Sequence, residues 1–397
     1  ALETGALAMP TDQVLADLGT DAGPVLRICP ALASKLPTIV PAVPLDPVDE
    51  RLRLADALYN WLTRMAARAP LLVVLDEYQH ADGDLRDIVD RLGRRLRGAP
   101  VLLLAVSSVE GKKRKRATKP PGVLDAIELE GLDVGATAAL VGAASQRPVS
   151  PAVVELIQSV GHGNPLLSVE LHRHLIEESL LPPPGSGRLP PPDALPQTIA
   201  QVVAWRVARL PAQNRAALNV LAAFPRGAAP NIIATVAGVI KGRALDALDG
   251  LVADGLASVS SDGTRYEVFH QHVRAALLDA MPQHLRAQLH RRIAEVLEAE
   301  AGNERRQIAG DLAHYWYESR TIPGRERGLS HFLLTTEQAR AAYAHHRAVD
   351  CLRAALAVVP QDNATNFDVM ARLALAEAAA GLRKEALGSA GRALDLG

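Results

Sequence analysis

The chain has 397 residues, a net charge of −1 and two cysteines. This length is too great for one hydrophobic core and predicts about two to four domains of ~100–200 residues each. The charge is near neutral, the apolar runs are much shorter than the ~20 residues of a membrane span, and the two cysteines are far apart in the sequence. These features exclude a transmembrane protein and indicate a cytoplasmic globular protein.

The chain begins with a weakly patterned region. Residues 1–48 are rich in proline and glycine, and one short helix is predicted there, near 11–18. From Asp49 to Met65, apolar residues recur at the three- and four-residue spacing of a helix that buries one face. A long amphipathic helix is therefore predicted before the first strand.

Two wholly apolar segments follow, LLVVL at 71–75 and VLLLAV at 101–106. Ala69-Pro70 separates the first from the preceding helix, because the residue before a proline disfavours the helical conformation. Residues 84–97, between the two segments, have helical periodicity. Strand, helix and strand in this order predict a parallel α/β unit, and the apolar character of both strands predicts that they are buried on both faces.

The next region is predicted to be largely helical. A short strand is expected over AIELEGL (126–132), and helices follow to about Ser179. Residues 181–196, LPPPGSGRLPPPDALP, are rich in proline and glycine and predict a domain boundary.

Several amphipathic helices and one hairpin are predicted beyond this linker. The helices fall near 198–209, 212–223, 230–237, 243–254 and 283–300. The hairpin falls within 256–269, where Asp262-Gly263 is typical of a tight turn between strands. Helices followed by a small hairpin are the pattern of a winged-helix module.

The C-terminal segment, from about residue 328, is rich in alanine and leucine at helical spacing and contains a weak internal repeat. Three residues recur 38 positions later: Ala348 as Ala386, Ala355 as Ala393, and Leu356 as Leu394. The spacing is near the tetratricopeptide period of about 34 residues and predicts stacked helix pairs. Since two pairs are few for such an array, we expect it to continue past Gly397.

Polar residues follow both predicted strands. Asp76 and Glu77 come directly after the first strand, and Ser107 and Ser108 after the second. Ligands of open parallel sheets bind at the carboxyl ends of the strands. Asp76 is therefore placed to hold a magnesium ion, Glu77 to polarise an attacking water, and a serine to sense a γ-phosphate. The structural alternative is that the acids cap the next helix and the serines cap the strand.

Four segments, in order, resemble the STAND ATPases, which are P-loop signalling NTPases found in maltose-activator-like and large LuxR-type regulators and beside class III cyclases and some Ser/Thr kinases. LDEYQHAD (75–82) resembles the segment that contains their Walker B acids, and GHGNPLL (161–167) their GGNPLF loop. LPQTIAQVVAWRVARLP (195–211) is similar to the entry to their winged helix. FHQHVRAALLDAMPQHLRAQLHRRIAEVLE (269–298) resembles a later stretch with a histidine and an arginine.

The resemblance implies further nucleotide-binding residues. Asn164 and Pro165 would lie near the adenine. His270 would contact bound ADP and hold the closed state, and Arg274 matches the arginine of the same stretch. The alternative for His270 is a buried structural histidine. This chain departs from the family in having Gln79 and His80 where His and Trp are usual, Glu77 for the second Asp, and Val268 in place of the usual Phe.

The fold class that follows is a truncated P-loop NTPase α/β sheet, followed by an all-α helical lid, a winged-helix module and tetratricopeptide-like repeats. The corresponding domains are 1–135, 136–194, 195–300 and 301–397.

The phosphate-binding loop of such a site is missing from the sequence. A P-loop needs G-x-x-x-x-G-K-[ST], in which backbone N–H groups and the lysine hold the phosphates. Gly111-Lys112-Lys113 follows the wrong strand, and Gly185-Ser186-Gly187-Arg188 lies in the proline-rich linker. We therefore expect a fragment that begins inside the ATPase domain. ATP or ADP and Mg²⁺ would be cofactors of the full-length protein, bound weakly or not at all by this fragment.

The expected function is an ATP-dependent conformational switch that controls an output domain in transcription or in cyclase or kinase signalling. Expected partners are the nucleotide, an intramolecular output domain, a protein or small-molecule inducer on the repeats, and further copies in a nucleotide-dependent homo-oligomer. No membrane partner is expected, and DNA only through a domain outside this chain. The basic run 112–116 lacks interleaved aromatics and is interpreted as a solvated loop. The alternative function is a non-catalytic scaffold with a degenerate NTPase domain.

Overall fold

A computed structural model describes residues 2–43, 45–108, 125–146, 148–181, 189–260, 262–359 and 363–396. The chain forms two compact units. The first contains Ala1–Ala126, Arg306–Tyr317 and Gly324–Gly397, and the second contains Ile127–Arg305 and Glu318–Pro323. Both are mostly helical. The basic run at 112–116 and the glycines at 111, 185 and 187 lie outside the described residues. Among those described, no helix combines the length and apolarity that crossing a membrane requires.

The N-terminal part of the first unit is a small α/β layer. Its elements are α1 Leu2–Ala8, α2 Thr11–Leu18, α3 Ala22–Ile28, α4 Pro47–Ala66, β1 Leu71–Leu75, α5 Gly83–Arg95 and β2 Val101–Ala105. The helices predicted near 11–18 and over 49–65 are confirmed. The sequence had not indicated α1 and α3. Pro24 is compatible with α3 because it lies in the first turn, where no intrahelical N–H bond is required.

The two strands are parallel, in register from Leu71 opposite Val101 to Leu75 opposite Ala105. The side chains of Leu71, Val73, Val101 and Leu103 pack against a core that includes Trp61 and Leu62. The opposite face is exposed: Leu72 is 57% and Leu102 63% accessible. The prediction that both faces are buried is therefore wrong for the described residues. Apolar character in a strand indicates what it can bury, whereas neighbouring elements decide what it does bury.

The C-terminal part of the first unit consists of helices α15 Ala309–Glu318, α16 Leu329–Ala341, α17 His345–Leu356, α18 Asn363–Ala379 and α19 Arg383–Leu394. The 38-residue repeat is present in the structure, since α17 and α19 begin and end 38 residues apart. Ala355 and Ala393 occupy equivalent buried positions. The turns before these helices also correspond, because Tyr343 and Gly381 both have positive φ, 57° and 81°.

The second unit contains nine helices and a hairpin within its described residues. They are α6 Val134–Ser145, α7 Pro151–Gly161, α8 Pro165–Glu177, α9 Ile199–Arg209, α10 Ala212–Ala222, α11 Pro230–Ala237, α12 Lys241–Ala253, β3 Ala257–Val259, β4 Tyr266–Val268, α13 Gln271–Ala280 and α14 Gln283–Glu300. The strands β3 and β4 are antiparallel, as predicted from Asp262-Gly263, and Gly263 adopts φ 70° in their turn. The predicted helices of this region are also confirmed.

One predicted strand is absent. Residues 125–133 form neither strand nor helix, and Ile127 and Leu129 are 81% and 88% exposed. Alternating apolar residues form a strand only when another strand satisfies their backbone N–H and C=O groups, and this segment has no pairing partner among the described residues. Leu132, at its end, donates its N–H to the Gly163 carbonyl at 2.8 Å.

Candidate functional site

The four polar residues predicted after the strands lie at one edge of the parallel sheet. Beyond β2, the chain continues to pair with the turn after β1. Val106 N–H donates to the Leu75 carbonyl at 2.8 Å, and Tyr78 N–H donates to the Val106 carbonyl at 2.8 Å. Ser108 N–H donates to the side-chain oxygen of Gln79 at 3.1 Å. These bonds bring the segment that contains Asp76 and Glu77 beside the one that contains Ser107 and Ser108.

The turn after β1 contains a strained residue. Glu77 is in the left-handed conformation, with φ 51° and ψ 38°, which disfavours a residue with a Cβ by ~1–2 kcal/mol. The Asp76 carboxylate partly compensates, since its Oδ1 accepts the Glu77 N–H at 2.9 Å. Both acids are exposed. Such strain persists where the surroundings impose it and is frequent at functional sites.

The acids do not cap the helix that follows. The N-cap of α5 is Asp82, whose Oδ1 accepts the Leu85 N–H at 2.8 Å. The short 3-10 turn Tyr78–His80 begins after Glu77, whose side chain makes no capping hydrogen bond. The structural alternative, in which Asp76 and Glu77 are capping residues of α5, is therefore excluded.

Asp76 and Glu77 provide only two adjacent carboxylates, and this number limits the kind of metal ion that they can bind. No group of three or more His, Cys, Asp or Glu side chains placed to hold a metal occurs within the described ranges. Mg²⁺ usually keeps several waters and binds one or two carboxylates together with substrate phosphates. Asp76 and Glu77 thus fit a magnesium ion that arrives with a nucleotide, rather than one held by protein ligands alone.

The loop GHGNPLL forms the turn between α7 and α8. Asn164 is the N-cap of α8, and its Oδ1 accepts the Leu167 N–H at 3.0 Å, while Pro165 occupies the first helical position. His162 and Gly163 both have positive φ. A Cβ at Gly163 would lie 2.3 Å from the Leu132 carbonyl oxygen, so only glycine fits. These contacts account for the motif structurally, and its contact with adenine stays a prediction.

His270 and Arg274 lie one turn apart at the start of α13. His270 is the N-cap, and its Nδ1 accepts the His272 N–H at 3.2 Å. Burial, together with the nearby His272, lowers the pKa of His270 below its ordinary value of 6.5, which favours the neutral ring that this bond requires. The side chain is half-buried. The contact of either residue with a nucleotide stays a prediction, and both belong to the second unit, whereas Asp76 and Glu77 belong to the first.

Sequence reasoning missed a contact that involves the helix after the acids. The buried Asp84 carboxylate, in the first turn of α5, lies 3.0 Å from Nδ1 of His346 in α17. Arg51 lies 3.9 Å from the same carboxylate. The sequence gives no local signal for a contact between two residues that are 262 positions apart. An aspartate in the first turn of a helix is common and does not by itself indicate a distant partner.

Comparisons with known proteins give a likeness in structure but none in sequence. No family model and no curated protein sequence matches the chain. Its structure is similar to that of a Signal Transduction ATPase with Numerous Domains (STAND) protein with a tetratricopeptide repeat sensor from Pyrococcus horikoshii, with a TM-score of 0.45 and 14% identity. The match covers 86% of this chain and 50% of that protein, so the chain spans half its length.

Proposed function

We propose that this chain is part of a STAND-type signalling ATPase, in which binding and hydrolysis of ATP switch the protein between two states. The observation that carries the proposal is the arrangement of Asp76 and Glu77 beside Ser107 and Ser108, joined through the 3.1 Å bond from Ser108 N–H to Gln79. Acids at the end of one strand and hydroxyls at the end of its parallel neighbour are the groups that an ATP·Mg²⁺ site requires on this side.

Each residue of this edge has a distinct role in the proposal. Asp76 holds the magnesium ion, Glu77 polarises the attacking water, and Ser107 or Ser108 binds the γ-phosphate. The phosphate-binding loop comes from a segment outside these 397 residues. As the resemblance implies, Asn164 and Pro165 are expected to lie near an adenine and His270 to contact bound ADP, while Arg274 matches the arginine of the same stretch.

The exposed face of the parallel sheet supports a longer ATPase domain. Parallel sheets are almost always covered on both faces, yet Leu72 and Leu102, opposite each other in register, are mostly exposed here. In the proposal, further elements of the ATPase domain cover this face and contribute the phosphate-binding strand.

The remaining elements have regulatory roles in the proposal. Helices α10 to α12 with the β3–β4 hairpin are a winged-helix module, and α16 to α19 are tetratricopeptide-like repeats that receive a protein or small-molecule inducer. An output domain in the same protein responds to the change between the two states. Nucleotide changes the populations of the two states only if it binds them with different affinity.

The test uses a longer product of the same reading frame, with the residues encoded upstream of Ala1. We expect these residues to contain G-x-x-x-x-G-K-[ST], and the longer protein to hydrolyse ATP with magnesium. Asp76→Asn and Glu77→Gln should lower the rate by about 10²–10⁴-fold. The matched control Asp87→Asn, at an exposed acid of α5, should leave it unchanged. A longer protein that binds no nucleotide, or variants as active as the control, would contradict the proposal.

A second candidate is a non-catalytic scaffold, favoured by the repeated helices α17 and α19, which correspond over 38 residues. In that case the repeats bind a protein and the acids are inherited remnants. A start codon near Ala1, together with protein binding that is unchanged by ATP, would support the scaffold over the switch.

A further inference from the structure

A solvent-open cavity of about 390 Å³ with a mixed polar and apolar lining lies in the first unit, between the N-terminal region and the C-terminal helices. Its wall includes Arg27 of α3, Glu337 and Arg340 of α16, Tyr343 in the following turn, and His345 at the start of α17. None of these residues belongs to the proposed nucleotide site.

The cavity wall contains buried polar atoms that have no partner. Tyr343 and His345 are each only 6% exposed. The Tyr343 hydroxyl, both ring nitrogens of His345 and Nε of Arg27 make no hydrogen bond. Buried polar groups in proteins are nearly always paired, because an unpaired one loses its hydration without compensation. Four such atoms in one wall indicate a site whose partner is a separate molecule.

The charges of the wall favour an anion. The Arg27 guanidinium donates only to backbone carbonyls, those of Ala42 at 2.7 Å and Ala341 at 3.3 Å. It lies 4.6 Å from the centre of the Tyr343 ring, and no carboxylate pairs with it in the part of the chain that the structure describes. The lining contains two arginines and one glutamate, so one positive charge is in excess.

The nearby Glu50 does not remove this excess. Glu50 is fully buried, and its Oε2 accepts from Arg53 and from the Leu45 N–H. Arg53 and Glu50 therefore form a neutral pair beside the cavity, and the charge of Arg27 remains available to a ligand.

The unpaired atoms also indicate which groups the anion carries. Burial lowers the pKa of His345 below 6.5, and its ring is neutral near pH 7, with one nitrogen that donates and one that accepts. Tyr343 and Arg27 supply further donors. A matching ligand needs an anionic acceptor for the donors and a hydroxyl that donates to the imidazole.

We propose that this cavity binds a small hydroxylated organic anion, with a phosphate or carboxylate group near Arg27 and Tyr343 and a hydroxyl near His345. The unpaired atoms are inaccessible to solvent although their residues line the cavity, so the proposal requires the Tyr343 and His345 side chains to rotate toward the ligand when it binds. This proposal does not depend on the nucleotide switch, since it concerns other residues and requires no ATP.

The test measures binding of glycerol 3-phosphate, glycerate and glycerol to this chain by titration calorimetry, without nucleotide. The first two probes carry a hydroxyl and a phosphate or carboxylate, and the third is neutral. We expect at least one anion to bind with a Kd of about 1 mM or tighter, and glycerol not to bind. Which anion binds identifies the preferred group.

Variants locate the site. Tyr343→Phe and His345→Phe should each weaken binding of the anion by about tenfold or more. The matched control is Tyr59→Phe, because the Tyr59 ring also faces an arginine, Arg95, at 4.5 Å from its centre but lies outside the cavity. Tyr59→Phe should bind the anion as tightly as the unmodified chain.

The melting temperature of the ligand-free chain provides a second test, which needs no ligand. Tyr343→Phe removes an unpaired hydroxyl, so the ligand-free variant should have an unchanged or higher melting temperature. A clearly lower melting temperature would show that the hydroxyl has a partner in the protein and would overturn the proposal. Failure of both anions to bind, or equal binding by the Phe variants and the control, would also overturn it.

Discussion

The Asp84 carboxylate of α5 caps the N-terminus of α17. Its Oδ2 accepts the backbone N–H of His346 at 2.8 Å, and its Oδ1 lies 3.0 Å from Nδ1 of the same residue. Ala344, the N-cap of α17, makes no side-chain hydrogen bond to the helix. The negative charge that stabilises this helix N-terminus therefore comes from a carboxylate of another helix. A Cβ at Gly83 would lie 2.8 Å from the His346 ring, so glycine permits this approach.

Asp84→Ala should lower the free energy of unfolding by about 2–3 kcal/mol, because it removes a charged hydrogen bond and a helix cap together. Asp84→Asn, which keeps one oxygen acceptor, should have a smaller effect. Urea unfolding measures both. Asp87→Ala, at an exposed position of the same helix, should stay within about 0.5 kcal/mol of the unmodified chain. Equal effects of Asp84→Ala and Asp87→Ala would refute the capping role.

Glu77→Gly should raise the free energy of unfolding by up to about 1 kcal/mol, because glycine adopts the left-handed conformation without strain. Glu77→Ala keeps the Cβ and should not stabilise. Chemical denaturation of the two variants separates backbone strain from loss of charge. If Glu77→Gly is no more stable than Glu77→Ala, the strain is not significant.

Substitutions on the two faces of the parallel sheet should differ in effect. Leu103 packs against the core, whereas Leu102 is 63% exposed. Leu103→Ala should destabilise this chain by about 1–3 kcal/mol, and Leu102→Ala by less than about 0.5 kcal/mol. Urea unfolding of both variants provides the comparison. In a longer protein that covers the exposed face, Leu102→Ala should lower the free energy of unfolding by more than it does in this chain.

The helical repeat should tolerate no larger side chain at its small buried positions. Ala355 is completely buried between helices, and Ala355→Leu should overpack the site and destabilise it by about 1–3 kcal/mol. Ala378→Leu, at an exposed position of α18, is the matched control and should be nearly neutral. Thermal unfolding followed by circular dichroism tests the pair, and similar melting temperatures for the two variants would argue against close packing.

Acid should destabilise the second unit through His174. Burial lowers the pKa of His174 below its ordinary value of 6.5, and its ring packs edge-on against Trp205 with centroids 4.4 Å apart. Between the folded pKa and about 6.5, the unfolded chain binds the proton and the folded chain does not, so stability falls as the pH falls. Each unit of pKa difference is equivalent to about 1.4 kcal/mol.

Urea unfolding at about pH 7.5 and about pH 5.5 measures this loss. The variant His174→Gln cannot be protonated in this range and should lose less stability between the two conditions. An identical loss in the variant would assign the acid sensitivity to other groups.

Local sequence patterns predicted much of the secondary structure. Apolar spacing from Asp49 to Met65 predicted α4, and Asp262-Gly263 predicted the turn between β3 and β4. The 38-residue recurrence of Ala355 as Ala393 correctly indicated equivalent helices. These features depend on residues close together in sequence, where periodicity and turn chemistry act directly.

The errors arise where a partner element decides the outcome. AIELEGL has the alternation of a strand but remains unpaired, and β1 and β2 are apolar on both faces but covered on one. The order of Asp76, Glu77, Ser107 and Ser108 along the chain predicted their common edge, because parallel strands end together. The Gln79 bond that joins their two segments was not predictable, since Gln79 takes the place of a histidine in the pattern the chain resembles.

The sequence by itself therefore determined most of the helices, the hairpin turn, the repeat and the acids at the end of the first strand, because each depends on short-range geometry. Only the tertiary structure decided that β1 and β2 are covered on one face, that Asp84 caps α17, and that Tyr343 and His345 line a cavity with Arg27. The last two bring together residues separated by hundreds of positions, and their pairing follows from how helices pack rather than from any local pattern.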